Sequence, residues 1–328
     1  MIISLVLAVT YLTTSLLIQK LIPLLRKSGI EGPDMNKPDK PAVPEMGGLA
    51  LVIGFATGLL FIIFLKTFTN AFPDTELTLL LGALLVVLMI GLIGVVDDLL
   101  EMSKILKLFL PIIGAMPLIA LQIGHSAMSI PIVGQIDLGL MYALVVIPLG
   151  MTGMSNAFNM LGGFNGLEVG LGLVSMISLG AIAYLLNDAT TFLILVVAAA
   201  SLLAILRYNW YKATVFVGDT GTLFIGSIVA TTIILGNFEL AGLILIIPHF
   251  VDLCIKALNQ FPSEGWWGDF RDGKLYCPAK PKTLCQWIMK MADGISERNL
   301  VLSLIAVEII LGAIAVFFFY GQRVGLIR

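Results

Sequence analysis

The sequence alternates between long apolar runs and short charged intervals, and this alternation limits the folds open to the chain. The charged intervals lie at roughly 26–46, 97–107, 155–168, 207–220 and 256–298, and together they contain 15 of the 19 Lys and Arg residues. Each apolar run is about 17–24 residues long, the length an α-helix needs to cross the hydrocarbon core of a bilayer. Continuous apolar runs favour helices over the alternating strands of a membrane barrel. We therefore predict an all-α polytopic integral membrane protein.

The composition agrees with this class and argues against others. Of the 328 residues, 59% are hydrophobic and 12% are charged, whereas about 25% of the residues of a soluble domain are charged. The net charge of −2 gives no reason to expect a nucleic-acid partner. Cys254, Cys277 and Cys285 are too few and too irregularly spaced for a zinc site, and their odd number argues against a disulfide framework. Residues 2–19 carry no charge and follow no basic stretch, so we expect a retained first helix and not a cleaved signal peptide.

Hydropathy predicts about ten spanning helices within a single membrane-embedded domain of residues 1–328. We place these helices at 2–25, 46–66, 77–96, 105–122, 138–155, 167–186, 190–206, 221–236, 240–258 and 299–320. Basic residues concentrate after the first, third, seventh and ninth spans, and basic loops face the cytoplasm. We therefore expect both termini outside the cell membrane and the charged intervals in the cytosol.

Two loops carry structure of their own. In the cytosolic loop 259–298, Leu284, Trp287, Ile288 and Met291 share one helical face. This spacing predicts a helix that lies on the membrane surface, although a partner-binding helix would show the same pattern. The external loop 123–137 has two short β-prone runs around Gly134, which predict a small hairpin.

Two adjacent carboxylates, Asp97 and Asp98, follow an apolar run at the cytosolic end of the third span. Such a pair can bind a divalent cation or accept a proton. The structural alternative is a solvated helix end, but acidic groups oppose the macrodipole at a helix C-terminus, so this alternative has little physical motive. Lys107, just inside the next span, either extends its ammonium to the membrane surface or neutralises a phosphate beside the aspartates.

A stretch rich in amides and glycines runs from Asn156 to Glu168. Asn156 and Asn159 are three residues apart and share a helix face, and the glycines allow a ligand to approach the backbone closely. Asn165 can also N-cap the next helix, with Glu168 completing a capping box. Both roles are compatible, because a helix N-terminus attracts phosphate.

Two further aspartates complete the set. Asp219 begins another cytosolic helix, either as an N-cap or as a functional group, and Asp252 lies inside the ninth span, where a carboxylate is by default a functional candidate. Hard oxygen ligands without a His or Cys cluster suit Mg²⁺, which takes carboxylates together with substrate phosphates. The residues alone predict Mg²⁺-assisted chemistry on a phosphate-bearing substrate at the inner leaflet.

Four segments occur in the order found in a known enzyme family. They are residues 44–48, 94–98, 156–168 and 215–221. Through them the chain resembles the polyprenyl-phosphate N-acetylhexosamine-1-phosphate transferases. The stretch 162–166, which contains Asn165 where the bacterial enzymes usually carry an aspartate, is similar to that of the eukaryotic dolichyl-phosphate GlcNAc-1-phosphate transferases. Because the chain lacks the large cytosolic insertion of the eukaryotic enzymes, the resemblance points to an archaeal enzyme of N-glycan assembly.

The resemblance implies a reaction in which a lipid phosphate oxygen attacks the β-phosphorus of a UDP-sugar, best matched by UDP-GlcNAc, and UMP leaves. It implies that Asp219 and Asn159 hold Mg²⁺, with Mn²⁺ as the alternative. Asp97 and Asp98 would orient or deprotonate the polyprenyl or dolichyl phosphate, and Lys107 would attract its phosphate. The substrate-binding residues implied are Lys40, Glu45, Asn156, Asn165, Glu168, Lys280 and Lys282. A homodimer is left open.

The last cytosolic loop departs from the family pattern. Residues 277–282 contain Lys280 and Lys282 where a His- or Arg-rich motif is usual, and Lys offers a point charge without the bidentate fork of Arg. The order of steps is also open, because an adjacent carboxylate could act as a nucleophile in a two-step route. We favour direct displacement, since a phosphate monoester has a second pKa of about 6 and is already ionised at neutral pH.

A transporter with intramembrane carboxylates is the alternative function. Transporters tend to have inverted repeats and binding groups near the bilayer midplane. Here no repeat is visible, and most polar groups are predicted at the ends of spans. We therefore favour an enzyme.

Overall fold

Long apolar helices form most of the computed structural model, which describes residues 1–100, 102–124, 126–130, 134–262 and 264–326. Among these residues, eight helices are long and apolar enough to cross a membrane. They are α1 (Ile2–Lys27), α2 (Gly48–Thr69), α3 (Leu77–Leu100), α6 (Ile147–Met160, preceded by a π-helical turn Tyr142–Val146), α7 (Leu167–Leu186), α8 (Ala189–Asn209), α9 (Gly218–Gly236) and α13 (Glu297–Arg323). A ninth candidate is the pair α10 (Glu239–Leu245) and α11 (Ile247–Leu258), which is bent by 56°. The all-α membrane class is confirmed.

The predicted fourth span is broken. Residues 105–122 form α4 (Lys104–Gly114) and α5 (Met116–Ala120), and neither piece is long enough to be a spanning helix by itself. The break at Ala115 lies two residues before Pro117, which has no N–H to donate to a carbonyl one turn earlier and so cannot continue α4. The segment still runs antiparallel along α3, because Gly114 packs against Ile90 and Ile123 reaches Gly82. Taken together, α4 and α5 traverse the helix bundle where the sequence predicted one continuous helix.

Helix α9 lies at the centre of the bundle. Of its most apolar 18-residue window, 89% is buried inside the protein, more than for any other spanning helix in the described residues. Small residues allow its neighbours to approach closely: Gly48 of α2 meets the backbone of Gly221, and Gly94 of α3 meets the backbone of Thr220. Association of helices in lipid relies on such close van der Waals packing, because the lipid is as apolar as the side chains. The packing fixes the first turn of α9 against the last turns of α3.

Short antiparallel hairpins occupy three loops. β1 (Glu31–Pro33) pairs with β2 (Ala42–Pro44), and β5 (Asp269–Arg271) pairs with β6 (Lys274–Tyr276). The hairpin predicted around Gly134 is confirmed, since β3 (Ala127–Ile130) pairs with β4 (Gly134–Asp137). Its connecting residues 131–133, like His125, lie outside the described residues.

The helix predicted in loop 259–298 is α12 (Leu284–Met291). Trp287 and Met291 on its apolar face are exposed, while Gln286 is buried and donates hydrogen bonds to the carbonyl oxygens of Gly265 and Trp267. An exposed apolar face is compatible with contact to lipid, and the position of α12 on the membrane surface stays a prediction.

The first residues of α1 and the last residues of α13 lie on the same face of the bundle. Thr10 of α1 packs against Gly58 of α2, which itself starts beside α9 at Gly48. At the other terminus, Arg323 of α13 donates a hydrogen bond to the carbonyl of Leu185, near the last residue of α7. The start of α9 therefore lies on the opposite face of the bundle from the start of α1 and the end of α13.

Candidate active site

Asp98 anchors the start of α9 to the end of α3. Its Oδ1 accepts a hydrogen bond from the backbone N–H of Asp219 at 2.6 Å, and its Oδ2 accepts from the backbone N–H and the hydroxyl of Thr220 at 3.0 and 2.6 Å. These are N–H groups that the first turn of a helix cannot satisfy internally. Gly218 has φ +67°, and a Cβ at this position would lie 2.7 Å from Asp98 Oδ2. This geometry explains why glycine precedes Asp219.

Lys107 bridges two other carboxylates of this cluster. Its Nζ lies 2.9 Å from Asp97 Oδ1 and 2.8 Å from Asp219 Oδ2. Asp219 Oδ1 accepts a hydrogen bond from Nδ2 of Asn159 at 2.7 Å. With all groups ionised, Asp97, Asp98 and Asp219 outweigh the single ammonium by two negative charges. We call Asp97, Asp98, Lys107, Asn159 and Asp219 the acidic cluster.

The acidic cluster fits a hard divalent cation. Among the described residues, no three Asp, Glu, His or Cys side chains converge as a closed metal cage. Mg²⁺ does not require one, because it commonly binds one or two carboxylates together with water and substrate phosphates. The side chain of Asp97 is fully buried, and its Oδ2 has no hydrogen-bond partner. A buried carboxylate oxygen without a hydrogen-bond partner costs free energy unless a donor or a cation binds to it.

A cavity of about 390 Å³ opens beside the acidic cluster. This volume lies in the range of about 300–1,000 Å³ that is usual for small-molecule sites. Four of the predicted site residues line the cavity: Glu45, Asn159, Glu168 and Asp219. Glu168 accepts a hydrogen bond from the backbone N–H of Gly163 at 2.6 Å. The cavity therefore brings together residues from three of the motifs recognised in the sequence.

The predicted capping box at α7 is wrong. The N-cap residue is Gly166, with φ +84° and no side-chain cap, and Glu168 bonds to Gly163 instead. Asn165 is 3% exposed and turns to other partners: its Nδ2 donates to Asp34 Oδ2 at 3.1 Å, and its Oδ1 accepts from the backbone N–H of Ala213 at 2.7 Å. Long-range partners were available to the amide, and they compete with the local cap. Asn165 does not line the described cavity.

Four other predicted substrate-binding residues also lie away from the lining of this cavity. Asn156 donates to the carbonyl of Thr152 one turn earlier in α6, at 2.9 Å. Lys40 is exposed in a loop, in a left-handed conformation with φ +40°. Lys280 lies at a separate apolar groove between α11 and α12, and Lys282 is close to Gly265. The structure brings none of these four side chains to the cavity lining in the described part of the chain.

Lys256 lines the cavity and was missed by the sequence analysis. Its Nζ lies 2.8 Å from Asp252 Oδ2 and donates to the carbonyl of Met160. Asp252, which the sequence marked as a functional candidate, also accepts from the backbone N–H of Leu284 at 2.8 Å. The i,i+4 spacing of Asp252 and Lys256 is the signal that could have identified the pair. Together they tie α11 to the start of α12 and place an ion pair at the cavity.

Cys285 also lines the cavity. Burial raises the pKa of its thiol, and the nearby charge of Asp252 raises it further. The thiolate is the nucleophilic form of cysteine, so a buried thiol with a raised pKa is chemically inert at neutral pH. All three cysteines are free, as expected from their number. Among the described lining residues, the ionisable chemistry therefore rests on carboxylates and on Lys256.

Comparison with known proteins identifies the family. The model of glycosyl transferase family 4 matches residues 80–237. A protein of Saccharolobus solfataricus, provisionally assigned as a UDP-N-acetylglucosamine–dolichyl-phosphate N-acetylglucosaminephosphotransferase, is 35% identical over 94% of this chain and 92% of its own length. The enzyme of that name from Schizosaccharomyces pombe is 29% identical over 76% of this chain and 66% of its own.

A bacterial relative extends the comparison. A Bacillus subtilis protein, provisionally assigned as an undecaprenyl-phosphate N-acetylglucosaminyl 1-phosphate transferase, is 27% identical over 76% of this chain and 69% of its own length. The expected resemblance is thus confirmed along almost the whole chain by the archaeal relative, and the family match covers the acidic cluster from Asp97 to Asp219. This chain belongs to glycosyl transferase family 4.

Proposed function

We propose that this protein transfers GlcNAc-1-phosphate from UDP-GlcNAc to a polyprenyl or dolichyl phosphate, giving lipid-diphosphate-GlcNAc and UMP. This is the first step in the assembly of a lipid-linked glycan, and N-glycan assembly is the route we favour. The observation that carries the proposal is the bridge of Lys107 between Asp97 and Asp219 at the ends of membrane helices, where Asp219 also lines the cavity and Asp97 and Lys107 lie behind its lining in the described residues. Three relatives have names that specify the same kind of transfer.

The acceptor reacts at the acidic cluster. Lys107 is 33% exposed and carries the positive charge that attracts the lipid phosphate, while buried Asp97 orients it. A phosphate oxygen of the acceptor attacks the β-phosphorus of the donor, the bond from that phosphorus to the bridging oxygen breaks, and UMP leaves with both electrons of that bond. Because the acceptor is already ionised at neutral pH, with a second pKa of about 6, the step needs no strong base. The work of the protein is positioning and charge stabilisation.

The excess negative charge of the acidic cluster supports a bound divalent cation. A diphosphate would be repelled by these carboxylates unless positive charge is added. Asp219 and Asn159 would hold Mg²⁺, which offsets charge on the donor diphosphate and on the leaving UMP. Lys256, which is paired with Asp252, is better placed than Lys280 or Lys282 to bring an ammonium to the donor, because it lines the cavity.

A transporter is not supported by the structure. Its candidate coupling groups, Asp97 and Asp98, lie in the last turn of α3, and Asp98 is fully used in holding α9. Asp252, in the middle of α11, is paired with Lys256 and accepts a hydrogen bond from the first residue of α12, so both of its oxygens have partners within the protein. Carboxylates arranged at helix ends around a cavity favour chemistry at the membrane face over passage through the membrane.

We expect purified protein in detergent to release UMP from UDP-GlcNAc only when Mg²⁺ and a short polyprenyl phosphate are both present. The measurement is UMP release across a panel that includes UDP-GlcNAc, UDP-GalNAc and UDP-glucose, with product lipid identified by mass spectrometry. Transport needs a sealed vesicle, so turnover in detergent separates the two functions. A protein that binds the sugar nucleotide but forms no lipid-diphosphate-sugar would contradict the proposal.

We further infer that the acidic cluster faces the cytosol and that both termini face outward, because the basic intervals lie on the face of the cluster. A cysteine replacing exposed Lys274 should then react only with a membrane-permeant reagent in intact cells. A cysteine replacing exposed Asp74, in the loop between α2 and α3, is the matched control and should react with an impermeant reagent. The reverse pattern would overturn the orientation.

A further inference from the structure

Lys37 lies in a buried ionic network. Its Nζ lies 3.0 Å from Asp34 Oδ2 and 3.4 Å from Asn165 Oδ1, and it also donates to Glu297 Oε2. The side chains of Lys37, Asp34 and Glu297 are 7% exposed or less. Burying a charge costs free energy unless the charge is paired and hydrogen-bonded. Removing one partner therefore leaves the remaining buried charges uncompensated and destabilises the fold. The network is therefore strongly dependent on each of its members.

Four distant segments of the chain meet in this network. Lys37 and Asp34 belong to the loop between β1 and β2, and Glu297 is the first residue of α13. Asn165 precedes α7; its backbone N–H donates to Glu297 Oε1 at 2.9 Å. Ala213, after α8, donates its backbone N–H to Asn165 Oδ1 at 2.7 Å. We call Asp34, Lys37, Asn165 and Glu297 the loop clamp.

The loop clamp supports one wall of the cavity. Asp34 and Met35 line the cavity from one segment, and Gly163 and Phe164 line it from another. Asn36 connects the two, because its Nδ2 donates to the carbonyl of Gly163 at 2.9 Å. Lys37 itself is not a lining residue of the described cavity. Its influence on a ligand passes through its ion pair with Asp34, which lines the cavity, and through the backbone of these loops.

The loop clamp and the acidic cluster are separate units. In the described part of the chain, no hydrogen bond or ion pair joins a residue of one to a residue of the other. Loss of the loop clamp would move the wall formed by the 33–37 and 162–166 segments while leaving Asp97, Lys107 and Asp219 in place. The two units therefore have separate roles. The loop clamp supports a wall that can shape ligand binding, and the acidic cluster holds the groups that can perform chemistry.

We propose that Lys37 and Glu297 are positioning residues for the sugar-nucleotide donor. Through Asn165 and Asp34 they hold the backbone of two loops that line the cavity, which we assign to the donor because the proposed acceptor groups Asp97 and Lys107 are not among its described lining residues. The inference rests on the proposed function for the identity of the donor. The proposal predicts a higher KM for the donor with little change in kcat, because displacing the wall weakens donor binding and leaves the reacting groups in place.

The test compares Lys37→Met, Glu297→Gln and the double variant with the matched control Lys27→Met, which removes an exposed lysine at the end of α1. In Lys37→Met the KM for UDP-GlcNAc should rise roughly tenfold or more, because the ammonium that joins Asp34, Asn165 and Glu297 is lost; a tenfold change corresponds to about 1.4 kcal/mol. The kcat and the KM for the polyprenyl phosphate should change by less than about threefold. Glu297→Gln keeps the side-chain shape and should show the same direction with a smaller effect.

The double variant tests whether the two residues act together. If each holds the same loops, the double variant should be little worse than Lys37→Met, since coupled residues give non-additive effects. Calorimetry with UMP, without lipid acceptor, should show the same loss of affinity and does not depend on turnover. A folded Lys37→Met or Glu297→Gln variant that binds UMP like the wild type would overturn the inference, as would equal losses of kcat and of both substrates' affinities. Absence of wild-type turnover would instead reject the proposed function, and UMP binding would still decide the role of Lys37.

Discussion

Replacing Asp219 by Ala is expected to abolish turnover while the protein still folds and inserts. The carboxylate accepts hydrogen bonds from Lys107 and Asn159, lines the cavity and belongs to the proposed Mg²⁺ site. Loss of groups that only support metal ligands costs about 10–100-fold in activity or metal affinity, so loss of a ligand itself should exceed about 100-fold. The side chain fills no part of the apolar core, and the backbone N–H that binds Asp98 is retained in the variant.

The measurement is UMP release at low and at saturating Mg²⁺, together with the thermal midpoint of the detergent-solubilised protein. Asp74→Ala is the matched control, because Asp74 is exposed in the loop between α2 and α3. It should retain wild-type activity. Full activity of Asp219→Ala at both Mg²⁺ concentrations would reject Asp219 as a metal ligand.

The neighbouring aspartates should give opposite results when each is changed to Asn. Asp97→Asn should lose most activity, about 100-fold or more. Its stability should change little, because the amide oxygen can keep the bonds that Oδ1 accepts from Lys107 and from the Met102 backbone N–H, and the amide nitrogen replaces Oδ2, which has no partner. Asp98→Asn should lower the thermal midpoint, because an amide NH₂ would face one or more of the three donors that Asp98 accepts. Leaving a buried donor unsatisfied costs about 1–3 kcal/mol. Equal stability and activity losses in both variants would show that the two carboxylates do not have separate roles.

The same pair of variants decides between the one-step and two-step routes. A covalent aspartyl intermediate would allow labelled UMP to exchange into UDP-GlcNAc without any lipid acceptor. Direct displacement does not allow this exchange, because nothing retains the phospho-sugar when UMP leaves. We expect no exchange in the wild type. Exchange that is present in the wild type and absent in Asp97→Asn would identify Asp97 as a nucleophile.

The membrane class and most of the spans follow from the sequence because they depend on local properties. Each apolar run is long enough to satisfy its own backbone as a helix, whatever its neighbours are. The fourth span shows the limit of this reasoning, since hydropathy treats residues 105–122 as one run although Pro117 divides the helix. The bend between α10 and α11 was likewise invisible to hydropathy, because both pieces are apolar.

The types of residue at the site were also readable from the sequence, whereas their partners were not. Asp97, Asn159 and Asp219 were selected from motifs and Lys107 from its place just inside the predicted fourth span. The structure brings their side chains together. Asp98 was assigned to the acceptor by resemblance, but its oxygens hold the first turn of α9. A motif records which residues are near one another along the chain and not which atoms they face.

The sequence by itself determined the membrane fold, the family and the acidic residues of the cluster, because these are expressed in local composition and short motifs. Only the tertiary structure decided which polar residues line the cavity and which hold its walls. Lys37 and Glu297 are 260 positions apart, and no helical or strand periodicity relates residues at that separation. Asn165 could cap its own helix, yet the packing of four segments gives its amide better partners. Buried polar groups take whichever partners the packed chain offers, because leaving them unpaired in the interior costs more than any local preference gains.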